Sequence, residues 1–375
     1  MKILIFTDYF FPGENGGGPV TSISNLSYLL SSEHEVIVVT RRKDIGSDLI
    51  YSDECISQFE KTIPYKVCYL KNVNLTSIFQ LIKNENPQII YANSFFSKFT
   101  VFINLILSFS VVNSARFILS PRGELLNEAL KIKFYKKKFY ILFYKLISKF
   151  FNVEYLVSDE KEKLALIKLF NPSSLSVLRN LPINKPDEIQ HKKNEITKYV
   201  FLSRILPNKN LHVALEAFNN VTSECYFDIY GPIEDKLYWE KCNLLIQSNA
   251  AKVKINYMGA LHPNEIKNVL VEYDALILPT ETENFGHAIV ESILCGLVPI
   301  ISNRTPWVKL ESQGVGWDIE PGDIKSFVKA IETLNVMNQH EYEVLIKTGQ
   351  SYISNQLNLE LIREQYLIFF GNNNV

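Results

Sequence analysis

The sequence predicts an α/β fold with two doubly wound domains, because short β-branched runs alternate with longer helical stretches in both halves of the chain. Its length of 375 residues also fits two domains of ordinary size. Residues 181–198 are rich in Pro, Asn, Lys and Glu and lack periodicity, as in a linker. We therefore expect domains at 1–180 and 199–355 that face each other across a cleft, and a C-terminal helix at 356–375 that packs back on the first domain.

Hydrophobic runs mark the individual elements. In the first half the predicted strands are Lys2–Thr7, Glu35–Thr40, Gln88–Tyr91 and Arg116–Ser120. In the second half they are Tyr199–Ser203, Cys225–Tyr230, Lys254–Met258, Ala275–Leu278 and Val298–Ser302. The predicted helices are Val20–Leu30, Leu211–Asn219 and His287–Cys295. The longest apolar run, Val101–Val112, is far short of the roughly 20 residues of a spanning helix and predicts a buried core helix.

Composition and charge exclude several classes of protein. Hydrophobic residues make up 47% of the chain and the formal net charge is −1, unlike disordered chains or general nucleic-acid binders. The five cysteines are scattered, which indicates neither a disulfide framework nor a zinc site and favours a reducing compartment. The apolar N-terminus meets Asp8 before a signal-peptide run is complete. We expect a cytoplasmic protein, with the inner face of the cell membrane as the alternative location.

The densest cluster of residues that could bind a ligand or take part in catalysis lies in Leu278–Pro299. Here a predicted strand is followed by a loop and then by a helix. Glu283 stands in the loop and Glu291 one turn into the helix. Carboxylates there can accept hydrogen bonds from sugar hydroxyls, while the helix-terminal amides can bind an anion. Two glutamates at this spacing are weak evidence by themselves, but the pattern E-N-F-G-x-x-x-x-E-x-x-x-x-G-x-x-P-I is specific. The alternative is an ordinary helix start whose acidic residues favour the dipole.

A second motif, Phe201–Phe218, places Arg204 at the exit of a strand and Lys209 in the loop before a helix that Asn210 can cap. A planar guanidinium and a mobile ammonium beside helix amides can hold a diphosphate. The alternative is a pair of solvated loop cations. Because the acidic motif lies in the same half of the chain, the diphosphate site is the better interpretation.

Together with Phe227–Pro232 and Tyr257–Ala260, these two motifs resemble the retaining glycosyltransferase family 4, which has the GT-B fold of two Rossmann-like domains facing across a cleft. The resemblance covers nearly the whole chain and is strongest over Tyr199–Trp317. The stretch Thr305–Trp317 is similar to the members that build bacterial surface polysaccharides.

The resemblance implies a role for each motif residue. Glu291 would hold the ribose hydroxyls of a nucleotide-sugar, and Glu283 would contact the donor sugar. Arg204 and Lys209 would neutralise the leaving diphosphate, and with Glu283 they form the expected catalytic set. The other expected donor-binding residues are Asn284, Phe285, Gly286, His287, Gly231 and Gly259. For His287, capping or packing is the alternative role.

The first half supports this assignment less directly. Gly16, Gly17 and Gly18 follow the first predicted strand and let the backbone approach a phosphate or sugar, although their spacing is not a dinucleotide fingerprint. In the family such a loop lies over the reaction centre and acceptor; the alternative is a plain strand-to-helix turn. Arg122 stands where many members carry His, and because an arginine stays protonated it cannot be a general base. It could bind phosphate or an acidic sugar.

The segment Lys131–Phe151 interleaves lysines with aromatic residues on a predicted helix. Such a pattern suits contact with an anionic membrane surface. The alternative is a solvated helix face whose aromatic residues fill the core of the first domain. Nucleic acid is not an expected partner, because the rest of the chain offers no recognition module.

The sequence thus predicts a retaining hexosyltransferase that uses a nucleotide-sugar, with a UDP- or GDP-sugar expected. The acceptor would be a glycan or polyprenyl-diphosphate-linked hydroxyl in the synthesis of a bacterial surface polysaccharide such as capsule or O-antigen. No Asp-x-Asp triplet occurs, so neither a metal ion nor another cofactor is expected. The alternatives are a non-catalytic nucleotide-sugar-binding subunit and a nucleotide-sugar epimerase of the same fold.

Overall fold

The computed structural model describes residues 1–13, 17–44, 49–109, 115–131, 133–181, 192–248, 252–261 and 263–371. The chain divides into two compact units. The first contains Met1–Leu181 together with Glu360–Val375, and the second contains Pro182–Leu359. The sequence-predicted linker at 181–198 falls largely on 182–191, which lie outside the described residues.

The first unit is built on a parallel sheet. Its strands are β1 Lys2–Phe6, β2 Glu35–Arg41, β3 Lys66–Leu70, β4 Ile89–Asn93, β5 Arg116–Ser120, β6 Glu154–Val157 and β7 Ser174–Val177. They run in the order β3-β2-β1-β4-β5-β6-β7. Because β1 and β4 are fully covered by helices, their interior residues are almost uniformly apolar, as in a sheet buried on both faces.

Helices connect these strands. They are α1 Gly17–Leu30, α2 Asp53–Glu60, α3 Leu75–Glu85, α4 Lys98–Ser108, α5 Asn127–Lys131, α6 Phe134–Ile147 and α7 Glu160–Phe170. A short 3₁₀ turn at Ser148–Phe150 extends α6. The core packs α3, α4, α6 and α7 against the sheet around fully buried aromatic side chains such as Phe95 and Phe99. The apolar run Val101–Val112 is indeed largely a buried helix, and its residues 110–112 lie outside the described part.

The second unit repeats the architecture. Its strands are β8 Lys198–Leu202, β9 Cys225–Tyr230, β10 Val253–Gly259, β11 Ala275–Leu278, β12 Val298–Ser302 and β13 Trp317–Ile319, in the parallel order β10-β9-β8-β11-β12-β13. Its helices are α8 Leu211–Asn219, α9 Lys236–Gln247, α10 Pro263–Leu270, α11 His287–Leu294, α12 Ile324–Val336 and α13 Gln339–Gln356. A 3₁₀ turn at Pro207–Lys209 precedes α8.

The last helix, α14 Leu359–Gly371, returns the chain to the first unit. Arg116 Nη2 donates a 3.2 Å hydrogen bond to the carbonyl of Phe369, and its guanidinium lies over the Phe369 ring. The Phe370 ring packs 6.0 Å from the ring of Tyr91 in β4. At the start of the second unit, the buried carboxylate of Asp274 accepts hydrogen bonds from the backbone amides of Asn194 and Lys198, which fixes the segment before β8.

These observations confirm the predicted fold class of two Rossmann-like parallel-sheet domains. All the predicted strands form, with ends that differ by no more than a few residues. The predicted helix Val20–Leu30 begins earlier, at Gly17, so that Pro19 lies within the first turn, where a missing N–H is tolerated. No helix in the described parts of the chain is long and apolar enough to cross a membrane.

Candidate functional site

In the second unit the direction of strand order reverses between the neighbours β8 and β11, whose residues Tyr199 and Ala275 pair. Connections leave such neighbouring strands toward opposite faces, so the loops at their carboxyl ends diverge and leave room for a ligand. The loop after β8 carries Arg204 and Lys209, and the loop after β11 carries Glu283. The sheet topology therefore brings the cationic and the acidic motif to one edge.

Side chains hold these two loops together. Asn210 Nδ2 donates to the carbonyl of Pro279 at 3.0 Å and to Glu281 Oε1 at 2.8 Å, and the amide of Glu281 donates to the carbonyl of Asn208 at 2.8 Å. Asn210 occupies the N-cap position of α8 in a left-handed conformation, but its side chain makes no capping bond. The expectation that it caps the helix is therefore wrong, because its amide is used to brace the neighbouring loop.

Lys209 and Glu283 lie together at the centre of this edge. Lys209 Nζ donates to Glu283 Oε1 in an ion pair, and the two side chains are only 10% and 17% exposed. An ammonium has three donors, so one bond to Glu283 leaves two for another acceptor. The pair thus places a largely desolvated cation and a carboxylate where a sugar diphosphate could meet both.

Arg204 has a different environment. Its guanidinium pairs with Glu234 at 3.2 Å, and its side chain is 41% exposed. The sequence analysis groups Arg204 with Lys209, whereas in the structure each cation has its own carboxylate partner. An exposed pair of this kind is weak and screened by salt, so a multiply charged anion can compete for Arg204.

Glu291 lies in the first turns of α11 and is 6% exposed. Burial raises the pKa of its carboxyl to about 8. Among the described residues, none donates a hydrogen bond to Glu291 Oε1. A buried carboxyl oxygen without a partner is costly to the fold, which points to a ligand that supplies the missing donor.

The helix that carries Glu291 begins at Gly286, which takes a φ of +73° and has no side chain with which to cap the helix. Its terminal amides therefore favour an anion. Phe285 is buried just before this turn, and its carbonyl accepts a 2.6 Å hydrogen bond from Trp307 Nε1. His287 packs against the Phe285 ring at 4.7 Å, and Asn284 is exposed.

Gly259 is the last residue of β10, and Gly231 directly follows the adjacent strand β9. The amide of Gly231 donates a 2.8 Å hydrogen bond to the carbonyl of Gly259, and a Cβ at Gly231 would collide with the carbonyl oxygen of Ser203. Gly231 has a φ of +146° and Gly259 of +86°. Only glycine allows this close approach of the loop after β9 to the loop after β8.

In the first unit the guanidinium of Arg122 is held by neutral groups at the carboxyl ends of the strands. Its Nε donates to Asn93 Oδ1 at 2.7 Å, Nη2 donates to the hydroxyl of Tyr91 at 2.8 Å, and Nη1 donates to Asn180 Oδ1. Arg122 forms no ion pair in the described part of the chain. Two of these acceptors belong to β4 and the third to the segment after β7, so the guanidinium is held from two elements.

Of the glycines expected to approach the acceptor, Gly16 lies outside the described residues. Gly17 and Gly18 form the first turn of α1, the helix that follows β1 in the chain. A helix start of this kind is compatible with an anion or a sugar.

Sequence reasoning missed several residues that shape these sites. They are Glu234, Asn93, Tyr91 and Asn180. Each acts by binding a predicted residue or its loop rather than by carrying a motif. A polar residue at the end of a strand, such as Asn93 in β4, was the one signal available in the sequence.

Comparison with known proteins finds similar sequences, most of all for the second unit. Residues 184–351 match the model of the family described as Glycosyl transferases group 1. Over 187 residues the chain is 25% identical to the O-antigen chain mannosyltransferase RfbU of Salmonella typhimurium, covering 49% of this chain and 50% of RfbU. Over 282 residues it is 23% identical to an uncharacterized 41.2 kDa protein in the cps region of Klebsiella pneumoniae, covering 71% and 74%. The chain thus spans about half the length of RfbU.

Among solved structures, the chain is similar to Anabaena Alr3699/HepE in complex with UDP-glucose, with a TM-score of 0.75 at 16% identity over 99% of each chain. Identity this low shows the fold alone. The match agrees with the two Rossmann-like units seen here and confirms the GT-B fold class. Within the second unit, residues 184–351 are therefore similar to the Glycosyl transferases group 1 family.

Proposed function

We propose that the chain is a glycosyltransferase that moves a hexose from a nucleotide-sugar to a hydroxyl of a growing glycan, with retention of anomeric configuration. The observation that carries the proposal is the unpartnered, buried carboxyl oxygen of Glu291 in α11, the helix that follows the loop of Glu283. The vicinal hydroxyls of a ribose supply the donors that this oxygen lacks. The HepE complex with UDP-glucose and the group 1 match of residues 184–351 support a nucleotide-sugar as the ligand.

The remaining groups fit the other parts of such a donor. The uncapped amides of α11 suit the diphosphate. Lys209 and Arg204 supply positive charge, and Glu283, next to Lys209, can accept hydrogen bonds from the sugar hydroxyls. In this proposal the protein's own cations neutralise the diphosphate, without a metal ion.

The mechanism we propose is stabilisation of the leaving group. As the bond from the sugar to the diphosphate breaks, negative charge grows on the departing nucleotide, and preorganised donors gain strength where the charge develops. Such donors can contribute ~3–4 kcal/mol each to the transition state. Replacing Lys209 with Ala should therefore lower kcat more than it raises KM. An effect on KM alone would contradict this role.

The acceptor is proposed to be a lipid-linked glycan at the cytoplasmic side of the membrane. RfbU acts in O-antigen synthesis and the Klebsiella relative is encoded in a cps region, which supports a bacterial surface polysaccharide as the product. Arg122 has only neutral hydrogen-bond partners among the described residues, which supports a role for its guanidinium in binding an acceptor phosphate or an acidic sugar. Gly17 and Gly18 at the start of α1 are proposed to contact that acceptor.

A panel of UDP-, GDP- and ADP-sugars tests the proposal through release of the nucleotide, with NMR of the product to assign the anomer. Glu291→Gln should weaken UDP or GDP binding at least tenfold by calorimetry, because an amide accepts fewer hydrogen bonds from a diol than a carboxylate does. Glu272→Gln, an exposed residue just before β11, is the matched control. Unchanged affinity in Glu291→Gln would contradict the proposed binding of the nucleotide by Glu291. Binding without turnover would indicate a non-catalytic subunit, and a C2-epimeric nucleotide-sugar would indicate an epimerase.

A further inference from the structure

One face of α6 carries a row of large apolar side chains that are directed away from the first unit. Its members are Tyr135, Phe139, Leu142, Leu146 and Phe150, between 55% and 86% exposed. Steps of four, three, four and four residues keep them on one side of the helix and of the 3₁₀ turn that follows it. We refer to these five residues as the exposed stripe.

The exposed stripe is distinct from the face of α6 that builds the core. Ile141 and Tyr144 are buried, and the hydroxyls of Tyr144 and Tyr155 are 2.6 Å apart. Tyr140 accepts a hydrogen bond from Asn104 at 3.2 Å. The helix therefore has two apolar faces, of which one fills the core and the other has no covering element in the described structure.

Positive charge surrounds the exposed stripe. Between Ala129 and Val153 the sequence has seven lysines and no aspartate or glutamate, in a chain whose formal net charge is −1. At 100° per residue, Lys136 lies on one side of the stripe, and Lys138 and Lys145 lie on the other. All three are exposed.

One lysine of the segment serves the fold instead. Lys137 Nζ donates a 2.7 Å hydrogen bond to the carbonyl of Ala129 and lies 4.9 Å from the centre of the Phe96 ring. It is therefore excluded from the flanking set and from the variants below.

We propose that the exposed stripe and its flanking lysines bind the surface of an anionic lipid bilayer, with α6 lying in the plane of the headgroups. The apolar side chains would enter the boundary of the acyl chains, and the ammonium groups would meet the lipid phosphates. Aromatic rings such as Tyr135 and Phe139 are favoured at this depth. This inference rests on α6 alone and does not depend on the proposed donor site.

Two other occupants fit the surface less well. A second copy of the chain packed face to face would bring two clusters of lysines together without an acidic counterpart. A nucleic acid would stack its bases on aromatic rings, yet Leu142 and Leu146 in the middle of the stripe offer no ring. An anionic bilayer offers acyl chains for the aliphatic side chains and phosphates for the lysines.

Sedimentation of the full chain with vesicles tests the proposal. The vesicles contain equal parts of phosphatidylglycerol and phosphatidylcholine, and pure phosphatidylcholine is the uncharged comparison. We expect binding to the anionic vesicles that is at least about tenfold tighter and weakens as salt is raised. Equal binding to both vesicles, or none, would overturn the proposal.

Two sets of variants separate the apolar from the charged contribution. Phe139→Ser with Leu146→Ser removes the stripe, and Leu237→Ser with Leu244→Ser is the control on an exposed face of α9. A second variant replaces the flanking Lys136 and Lys138 by Ser; its control replaces Lys325 and Lys329, which are exposed in the second unit. Each test variant should lose binding about tenfold or more while each control retains it. Equal losses in test and control variants would contradict a specific surface.

Two further measurements identify the rival occupants. In analytical ultracentrifugation without lipid, we expect the full chain to form no dimer through the exposed stripe. If the chain does not bind vesicles but forms a concentration-dependent dimer, and the stripe variant loses that dimer, a second copy is the occupant. Competition by single-stranded RNA at low concentration would identify a nucleic acid. Nucleotide-sugar hydrolysis should be unchanged in the stripe variant, so failure here is distinguishable from failure of the proposed function.

Discussion

At the scale of single residues, Glu291 has the most unusual chemistry in the second unit. Its raised pKa, about 8, arises from burial and means that the carboxyl is mostly protonated at pH 7 in the free protein. Hydrogen bonds donated by a ribose diol favour the ionised form. Binding of a nucleotide-sugar should therefore release a proton in the range between the ordinary glutamate pKa and about 8.

Calorimetry measures this release directly. We expect the heat of UDP binding at pH 7 to change with the ionisation enthalpy of the buffer, by an amount that corresponds to nearly one proton. Glu291→Gln has no titratable carboxyl and should lose that dependence. An identical buffer dependence in the variant would assign the proton to another group.

The same carboxyl should make the folded state less stable as pH rises from about 5 to about 8. Its pKa is 4.5 in a model peptide and about 8 in the folded state. The folded chain therefore holds more protons than the unfolded chain between these values, and stability falls as pH rises through that window. In urea unfolding, the free energy of unfolding of Glu291→Gln minus that of the natural chain should increase as pH rises from 5 to 8. A constant difference across that range would contradict the assignment.

Arg204 offers a second test at this scale, because Glu234 competes with any anion for its guanidinium. Glu234→Gln should tighten UDP binding by about three- to tenfold at low salt, and the gain should shrink as salt screens the exposed pair. The same substitution in an Arg204→Gln background should have no effect. A gain that persists without Arg204 would show that Glu234 acts elsewhere.

At the scale of elements, the packing of strand ends depends on Gly231. Because a Cβ there would meet the carbonyl oxygen of Ser203, Gly231→Ala should cost about 3 kcal/mol of stability, at the upper end of common single substitutions. Gly259 also has a positive φ, but a Cβ there meets no atom within 4 Å. Gly259→Ala should therefore cost only about 1 kcal/mol. Urea unfolding compares the two, and equal losses would mean that the collision relaxes.

The elements also show what the sequence could predict. Central strands such as β1 and β11 are continuous apolar runs bounded by polar loops, so their positions were predicted to within one or two residues. The edge strand β7 has only half-buried residues and no such run, and it was missed. Edge strands contact one neighbour, so their sequences are less constrained.

In the candidate site too, some features could be predicted from the sequence and others could not. Glu283, Glu291 and the cations were identifiable because each stands beside a strand or helix end within a motif. The ion pair of Lys209 with Glu283 was not, because the two are 74 positions apart and meet only through the order of β8 and β11 in the sheet. Glu234 was missed for a similar reason, since its role depends on where the loop after β9 turns.

At the scale of the whole molecule, the proposed donor site uses residues of the second unit alone. A fragment of residues 182–359 has its own sheet and core, so it should unfold cooperatively and bind UDP within about threefold of the full chain. Circular dichroism and calorimetry measure both properties. A folded fragment with no affinity for UDP would show that the nucleotide also needs the first unit.

The return of α14 to the first unit has a consequence for biosynthesis. A ribosome delivers residues in order, so the sheet of the first unit emerges long before the helix whose Phe369 and Phe370 pack on Arg116 and Tyr91. The second unit is complete as soon as residue 359 has left the exit tunnel. The unit translated first is therefore the last to be finished, and a nascent chain halted before α14 would present an uncovered apolar surface to chaperones.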